Sequence, residues 1–228
     1  MISFLELRKN EKWVCIYLLL GIVIFFFFDY SISKFFYGIN SQTKSLFTTL
    51  THFGDSLYFF IPSILIWSGI KILKNKNKIV SSIGDISLFI FFSILLSGIV
   101  SQIFKHIIGR PRPVLYNGSD IKALDILNFD SKWHSFPSGH TTTIFAFIFC
   151  LFFLFPKLKN FLIALAVIIA STRVIIGAHF ISDIFGGVLV AYLCTIFVRN
   201  KFSKNKKLFN FKENFYLSKD EVNQIFKN

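Results

Sequence analysis

Six long apolar segments, separated by shorter polar connections, dominate the chain. They cover roughly Trp13–Phe28, Leu57–Leu73, Ile83–Phe104, Ser138–Phe155, Phe161–Ile176 and Ile184–Val198. A helix of about 20 apolar residues crosses the hydrocarbon core of a bilayer, and several of these segments approach that length. The pattern predicts an all-α polytopic membrane protein. Its six transmembrane helices form a bundle over residues 1–198, and a basic tail follows over residues 199–228.

The composition agrees with a lipid environment. Hydrophobic residues make up 54% of the 228 positions, charged residues only 16%, and there are 32 phenylalanines. Soluble domains carry about 25% charged residues, so an apolar excess of this size indicates surfaces that face lipid. The three cysteines, Cys15, Cys150 and Cys194, each lie inside an apolar segment. They resemble small buried side chains and do not have the spacing of a disulfide framework or a zinc site.

The net charge of +13 could indicate a nucleic-acid partner, so the positions of the basic residues decide the matter. They cluster between the apolar segments and in the tail, without interleaved stacking aromatics, and we therefore expect no nucleic-acid partner. One set of connections is richer than the other, with Arg8, Lys9, Lys12, Lys71, Lys74, Lys76, Lys78, Lys157, Lys159, Arg199, Lys201, Lys204, Lys206 and Lys207. The positive-inside rule places these connections and both termini in the cytoplasm. No obligate protein partner is indicated.

Polar residues with catalytic potential concentrate in three places, all at the outer ends of predicted helices. They are the segments Lys105–Pro113, Ser135–His140 and Thr172–Asp183. Charged groups at a membrane boundary are costly to bury and usually serve a function. Because alternate helix ends lie at the same face of a bundle, we expect the three segments to meet at the periplasmic face.

Three cations in these segments suit a phosphate group. Lys105, Arg112 and Arg173 supply positive charge, and guanidinium groups match the geometry of phosphate oxygens. Phosphoryl transfer needs such donors around the oxygens on which charge develops. Ser138 and Gly139 stand where the fourth helix begins, so their backbone N–H groups could also bind an anion.

Two histidines and one aspartate complete the candidate chemistry. His179 and Asp183 are four residues apart and would share a face on one helical turn. A carboxylate that accepts the proton of one ring nitrogen leaves the other nitrogen as a nucleophile. His140 could protonate the leaving group and then activate water. No cluster has the spacing of a metal cage, so we expect neither a metal ion nor another cofactor.

The same residues resemble a known signature. Lys-x6-Arg-Pro in Lys105–Pro113, Pro-Ser-Gly-His in Pro137–His140 and Arg-x5-His-x3-Asp in Arg173–Asp183 are similar to the three motifs of the type 2 phosphatidic acid phosphatase superfamily. The resemblance implies phosphate binding by Lys105, Arg112, Arg173, Ser138 and Gly139, with His140 as general acid, His179 as nucleophile and Asp183 as its partner. Thr172 stands where the family often has serine, which preserves a hydroxyl group.

The resemblance implies a lipid phosphatase of the bacterial inner membrane that forms a phosphohistidine intermediate. Lipid A, undecaprenyl diphosphate, phosphatidylglycerophosphate and phosphatidate are candidate substrates, and a periplasmic site favours the first two. Three alternatives stay open: a lipid phosphotransferase of the same fold, a vanadate haloperoxidase, and a non-catalytic membrane carrier. Six apolar segments argue against a haloperoxidase, because those relatives are soluble.

Several other polar or small residues are interpreted as structural. Arg110 lies outside the motif and is interpreted as a loop cation or a lipid head-group contact. His106 is expected to point away from the site, and His52 to cap a helix boundary. The small-residue pairs Ser97–Gly98 and Gly186–Gly187 are expected to mark close packing between helices.

Overall fold

The computed structural model describes residues 4–73, 78–115 and 124–204. Within these ranges the chain forms helices and turns and no β-strand, which confirms the predicted all-α class. The helices are α1 (Phe4–Phe27), α2 (Asp29–Tyr37), α3 (Ser41–Thr51), α4 (Leu57–Ile72), α5 (Lys78–Ile108), α6 (Gly139–Leu154), α7 (Lys159–Ile175) and α8 (Ile181–Lys204). Most of the predicted basic tail, from residue 205 onward, lies outside the described residues.

Each of the six predicted apolar segments coincides with one helix, namely α1 or one of α4 to α8. Helices α2 and α3 are additional and lie in the connection after the first segment. Both are short and rich in polar residues, so neither could cross a bilayer by itself. Asn40 begins α3, because its side-chain oxygen accepts a hydrogen bond from the Thr43 backbone N–H at 2.8 Å.

Helix length and composition support a membrane-spanning fold without fixing six spans. In the described residues, Ser41–Ile72, Val80–Leu115 and Ile181–Phe202 are long and apolar enough to cross a bilayer. A fourth span results if Val14–Phe27 and Asp29–Tyr37, bent by 54°, count as one. Gly139–Phe152 is apolar but shorter. The count of six spans and the cytoplasmic position of the termini stay predictions.

The core of the bundle lies between α5, α6, α7 and α8. Phe89 and Ile94 of α5 pack there with Ile148 of α6, and all three are almost completely buried. Small residues, including Ala146 and Ala191, let the backbones of the inner helices approach each other. Large apolar side chains remain exposed on the outside, such as Leu19, Phe26, Leu65, Phe161 and Ile168. This distribution is typical of a surface covered by lipid.

A glycine of α8 brings that helix into contact with the beginning of α6. A Cβ atom at Gly187 would lie 2.9 Å from the Ser138 carbonyl oxygen and 3.0 Å from Thr141 Cβ. At Gly186 it would overlap the ring of Phe136. The predicted close packing at this pair is therefore confirmed. At the other pair, Ser97 is completely buried, but nothing lies within 4 Å of a Cβ atom at Gly98, so that glycine does not mark close packing.

The two helical glycines Gly187 and Gly98 form a matched pair for a stability test. We expect Gly187→Ala to lower the midpoint of thermal unfolding in detergent, because the new methyl group meets a backbone carbonyl that cannot move away. Overpacking of this kind costs about 1–3 kcal/mol. Gly98→Ala should leave the midpoint unchanged or raise it, since alanine is the better helix former. Equal shifts for both variants would contradict the close α6–α8 contact.

Candidate active site

The three polar segments predicted from the sequence meet at one end of the bundle. Lys105 lies in the last turn of α5, and its Nζ atom is 3.3 Å from the Cβ position of Gly139, the first residue of α6. Arg173, in the last turn of α7, interacts electrostatically with Lys105 and with His140. The site therefore combines the end of α5, the beginning of α6 and the connection between α7 and α8.

His179 lies in the connection between α7 and α8 and is 2% exposed. Its Nδ1 atom is 2.7 Å from the Ser135 carbonyl oxygen. A carbonyl oxygen only accepts hydrogen bonds, so Nδ1 carries the proton and donates it. No group of the described residues bonds Nε2, whose lone pair is thus available. Burial lowers the pKa of His179 to about 4, although the charge of Asp183 opposes the shift. The ring is therefore neutral at pH 7 and can act as a nucleophile.

The interaction between His179 and Asp183 differs in detail from the sequence expectation. Asp183 Oδ2 is 3.6 Å from His179 Nδ1, so the carboxylate does not accept the ring proton directly. The reason is that α8 begins at Ile181, and His179 precedes the helix instead of lying on its first turn. The Ser135 carbonyl fixes the tautomer, and Asp183 contributes negative charge beside the ring.

Asp183 is completely buried and accepts hydrogen bonds from three groups. Its Oδ2 atom accepts from the Phe180 backbone N–H at 2.8 Å and from the Ser135 hydroxyl at 2.6 Å. Its Oδ1 atom accepts from Arg110 Nη1. These donors hold the carboxylate in one orientation. Ser135 therefore contacts both members of the pair, with its carbonyl on His179 and its hydroxyl on Asp183.

Three cations converge, and among the described residues no carboxylate lies within ion-pair distance of them. Lys105, Arg112 and Arg173 repel one another electrostatically. In the part of the chain that the structure describes, none of them forms an ion pair. Arg112 Nε donates to the Ser131 carbonyl at 3.0 Å, and Arg173 Nη1 donates to the Thr51 hydroxyl at 3.0 Å. Concentrated positive charge of this kind can bind an oxyanion. The neutral imidazole close to it could then act on the bound group.

The guanidinium group of Arg173 also has an unused donor. Its Nε atom is buried and has no hydrogen-bond partner among the described residues. A buried donor without a partner costs about 1–3 kcal/mol, so such a group usually awaits a ligand or water. An oxygen of a bound phosphate would satisfy it.

The beginning of α6 contributes differently from what the sequence suggests. Ser138 caps the helix, because its hydroxyl oxygen accepts from the Thr141 backbone N–H at 3.5 Å and also from the Thr141 hydroxyl at 3.0 Å. Its backbone N–H donates to the Asp183 carbonyl at 3.1 Å, so that donor is occupied. Gly139 is the helix-start residue that faces Lys105. The role of Ser138 in the geometry is thus to join α6 to α8.

His140 occupies the first turn of α6 and packs on residues that precede α4. A Cβ atom at Gly54 would lie 3.1 Å from His140 Cβ and 3.3 Å from its Cδ2 atom. The ring interacts electrostatically with His179 and Arg173, so it belongs to the same cluster. Gly54 packs on His140, and Thr51 accepts the hydrogen bond from Arg173. Both lie close to His52, where the sequence predicts only a helix boundary.

Arg110 is buried, whereas the sequence predicts a loop cation or a lipid head-group contact. The residue is 6% exposed, and its side chain donates to Asp183, Ser182 and Asp29. Gly109, with φ of +54°, turns the chain after α5. A Cβ atom there would collide with the Asp125 carbonyl. A buried arginine is usually paired with carboxylates. Asp29, at the end of the first apolar segment, is the residue of the sequence that could have indicated a buried partner for Arg110.

Other polar residues near the site stay outside it. His106 Nδ1 donates to the Gln102 carbonyl oxygen at 2.8 Å, and the His106 ring packs on His134 with centroids 4.4 Å apart. It therefore points away from the cations, as the sequence predicts. Among the described residues, no three His, Cys, Asp or Glu side chains form a group that could hold a metal ion.

An apolar cavity of about 600 Å³ lies among α1, α2, α6, α7 and α8. The lining residues closest in sequence to the site are Val174, Ile175, Ile181 and Ile184. These residues immediately follow Arg173 in the chain or flank Asp183.

The half of the chain that contains the three motifs matches a known protein family. Residues 87–207 match the family model of the PAP2 superfamily. Two curated relatives, both named Lipid A 1-phosphatase, come from Rhizobium johnstonii and Rhizobium etli and are 34% and 33% identical over 154 residues. The match covers 65% of this chain and 63% and 66% of the relatives. The chain thus spans slightly less than two thirds of their length.

Two solved structures share the fold. The first transmembrane PAP2 type phosphatidylglycerolphosphate phosphatase from Bacillus subtilis superposes with a TM-score of 0.59 and 21% identity, over 86% of this chain and 96% of that one. Aquifex aeolicus LpxE superposes with a TM-score of 0.53 and 21% identity, over 75% of this chain and 94% of that one. At this identity the similarity concerns the helical architecture.

The crowded cations lead to a test that needs no substrate. Lys105→Met keeps the length of the side chain and removes one of three repelling charges, so we expect a higher midpoint of thermal unfolding. Inorganic phosphate should raise the midpoint of the unmodified protein, because a ligand of the folded state stabilises it. That increase should largely disappear in Lys105→Met and persist in Lys132→Met, which alters an exposed loop lysine. A full phosphate response in Lys105→Met would show that these cations do not bind the anion.

Proposed function

The chain belongs to the PAP2 superfamily, and from that premise we propose that it is a membrane phosphatase that removes phosphate from a lipid through a phosphohistidine intermediate. One observation carries the proposal above all others. Three cations, which form no ion pair with a carboxylate of the described residues, converge beside a neutral, buried imidazole whose Nε2 atom is available. This arrangement can bind a phosphate dianion and attack its phosphorus atom.

In the first step, Nε2 of His179 attacks phosphorus and the bond to the lipid oxygen breaks. The Nδ1–H stays on the ring and donates to the Ser135 carbonyl, while the buried Asp183 carboxylate stabilises the positive charge that the ring acquires. Lys105, Arg112 and Arg173 stabilise the charge on the three equatorial oxygens. The bound phosphate dianion favours the protonated form of His140, which then donates its proton to the departing alkoxide.

In the second step, water attacks the phosphorus of phosphohistidine. His140, now neutral, accepts a proton from this water, and the bond between phosphorus and Nε2 breaks. Inorganic phosphate leaves, and His179 returns to its neutral state with the proton still on Nδ1. The cycle uses only residues of this chain. The proton that His140 takes from water replaces the proton that it gave to the alkoxide.

A lipid substrate is supported by an apolar cavity of about 600 Å³ whose lining includes sequence neighbours of Arg173 and Asp183. This cavity would hold the beginning of an acyl chain while the phosphate reaches the cations. Within the lipid phosphates, we propose the 1-phosphate of lipid A, because both curated relatives carry that activity in their names. The site would then face the periplasm and both termini the cytoplasm, in agreement with the distribution of basic residues.

Phosphate release by the purified protein from a panel of lipids tests this proposal. Lipid A should react faster than undecaprenyl diphosphate, phosphatidylglycerophosphate and phosphatidate, and vanadate should inhibit. EDTA should leave the rate unchanged, because side-chain cations supply the charge that a metal ion would otherwise contribute. Loss of activity on chelation and recovery on adding magnesium would contradict the mechanism. Transfer of the phosphoryl group to an added lipid alcohol, without release into water, would identify a phosphotransferase.

The matched variants for this assay are His179→Ala and His106→Ala. The first should reduce turnover at least about 1,000-fold, since covalent catalysis at one nucleophile accounts for several powers of ten in rate. The second alters a histidine that points away from the site and should keep most of the activity. Appreciable turnover in a folded His179→Ala protein would exclude the phosphohistidine intermediate.

A further inference from the structure

A buried ion pair beside the active site has no part in the mechanism described above. Asp29, the first residue of α2, is 4% exposed, and its Oδ2 atom accepts a hydrogen bond from Arg110 Nη2 at 2.7 Å. Asp29 lies outside residues 87–207, the part of the chain that matches the family. The pair therefore connects the N-terminal region to the motif-bearing half.

Ser182 connects the same two residues a second time. Its backbone N–H donates to Asp29 Oδ1 at 2.9 Å, and its hydroxyl donates to Asp29 Oδ2 at 2.5 Å. Arg110 Nη1 donates to the Ser182 hydroxyl at 2.7 Å. Every group that contacts the two oxygens of Asp29 is a donor, which is the environment of an ionised carboxylate. Asp29 thus acts as an anion that fixes both Arg110 and the first turn of α8.

The guanidinium group of Arg110 is held on all sides. Its Nη1 atom also donates to Asp183 Oδ1, so the two aspartates share one arginine. The planar group lies over the ring of Phe180 at 4.3 Å and over that of Phe25 at 4.7 Å. Arginine stacks well on aromatic rings, and such contacts restrict its rotation. Phe180 directly follows His179, so this contact also reaches the proposed nucleophile.

Stability alone is a weak explanation for this arrangement. Burying charged groups costs several kcal/mol for each ion, and apolar side chains of the same volume often give equal or greater stability. What the pair does fix is the orientation of Asp183. With Oδ1 held by Arg110, Oδ2 is left to Ser135 and to the Phe180 backbone, on the side that faces His179.

The second aspartate also affects charge. If Asp183 were the sole partner of Arg110, the positive guanidinium would neutralise the carboxylate that His179 needs when its ring becomes charged. Asp29 supplies a second negative charge to Arg110, so that Asp183 keeps much of its effect on the imidazole. Removing Asp29 should therefore weaken the nucleophile without touching the phosphate-binding cations.

We propose that Asp29 and Arg110 are positioning residues for the reaction at His179: Asp29 holds Arg110, and Arg110 holds Asp183 in the orientation that supports the imidazole. This inference rests on the proposed function. Neither residue contacts the substrate. The first turn of α2 thereby becomes a required part of the active site, although it lies outside the three motifs.

Steady-state kinetics of Asp29→Asn test this role in the full-length protein. We expect kcat to fall about 10- to 100-fold, the size of effect that a small misplacement of a catalytic group produces. The inhibition constant of inorganic phosphate should stay within about threefold, because Lys105, Arg112 and Arg173 are unaltered. Asp29→Glu, which keeps the charge, should recover part of the rate. The control is Asp85→Asn, which removes a half-buried carboxylate from α5 and should leave kcat unchanged.

Two outcomes of the kinetic test would overturn the inference. One is a kcat of Asp29→Asn within about twofold of the unmodified protein. The other is a rise in the phosphate inhibition constant that equals the fall in kcat, which would indicate general damage to the site. If Asp29→Asn does not fold, Ser182→Ala removes one link to Asp29 and should lower kcat by about 3- to 10-fold at an unchanged inhibition constant. An unaltered kcat in Ser182→Ala would then overturn the inference.

A spectroscopic measurement separates this inference from the proposed activity. The chain has five histidines, so 15N-histidine NMR in detergent can follow each ring, with His179 assigned by its loss in His179→Gln. In the unmodified protein at pH 7, Nδ1 of His179 should be protonated and Nε2 unprotonated. In Asp29→Asn both nitrogen shifts of His179 should change, because Asp183 moves relative to the ring, while the Ser135 carbonyl still holds the proton on Nδ1. Identical spectra would overturn the inference, whether or not the protein hydrolyses lipids.

Discussion

Mutual repulsion between Lys105, Arg112 and Arg173 is the constraint around which this end of the bundle is organised. Like charges close together in a partly dry environment separate unless the backbone holds them. Here the backbone does so. The Arg112 N–H donates to the Lys132 carbonyl, and the Arg173 carbonyl accepts from both Ala178 and His179. An anion that binds between the three cations relieves their electrostatic repulsion. A preorganised site stabilises developing negative charge in this way.

The same backbone contacts also position the histidine that we propose as nucleophile. Because the Arg173 carbonyl accepts from the His179 N–H at 3.1 Å, the third cation and the imidazole cannot move independently. Ser135 completes the connection, since its N–H donates to the Arg110 carbonyl while its own carbonyl accepts from His179. The arrangement is therefore one network, and its members come from three separate parts of the sequence.

The sequence predicted what depends on local periodicity and on complete motifs. The six apolar segments became helices, and Lys105, His140, Arg173 and Asp183 came together, because alternate helix ends must share one face of a bundle. The contact between Asp29 and Ser182 could not be predicted, since the two residues are 153 positions apart and neither belongs to a repeated pattern. The exact partner of His179 Nδ1 was missed because it depends on α8 beginning two residues after His179.

Formation of a covalent phosphoryl–His179 intermediate is the most direct test of the central claim, that the cations hold a phosphate in line with the Nε2 atom of His179. The purified protein would be mixed with a 32P-labelled lipid phosphate, quenched at alkaline pH within milliseconds, digested, and sequenced by mass spectrometry. The account predicts phosphate on the peptide that contains His179, attached to a ring nitrogen and lost on acid treatment. Label on another residue, or rapid turnover with no phosphorylated peptide under any quench time, would contradict it.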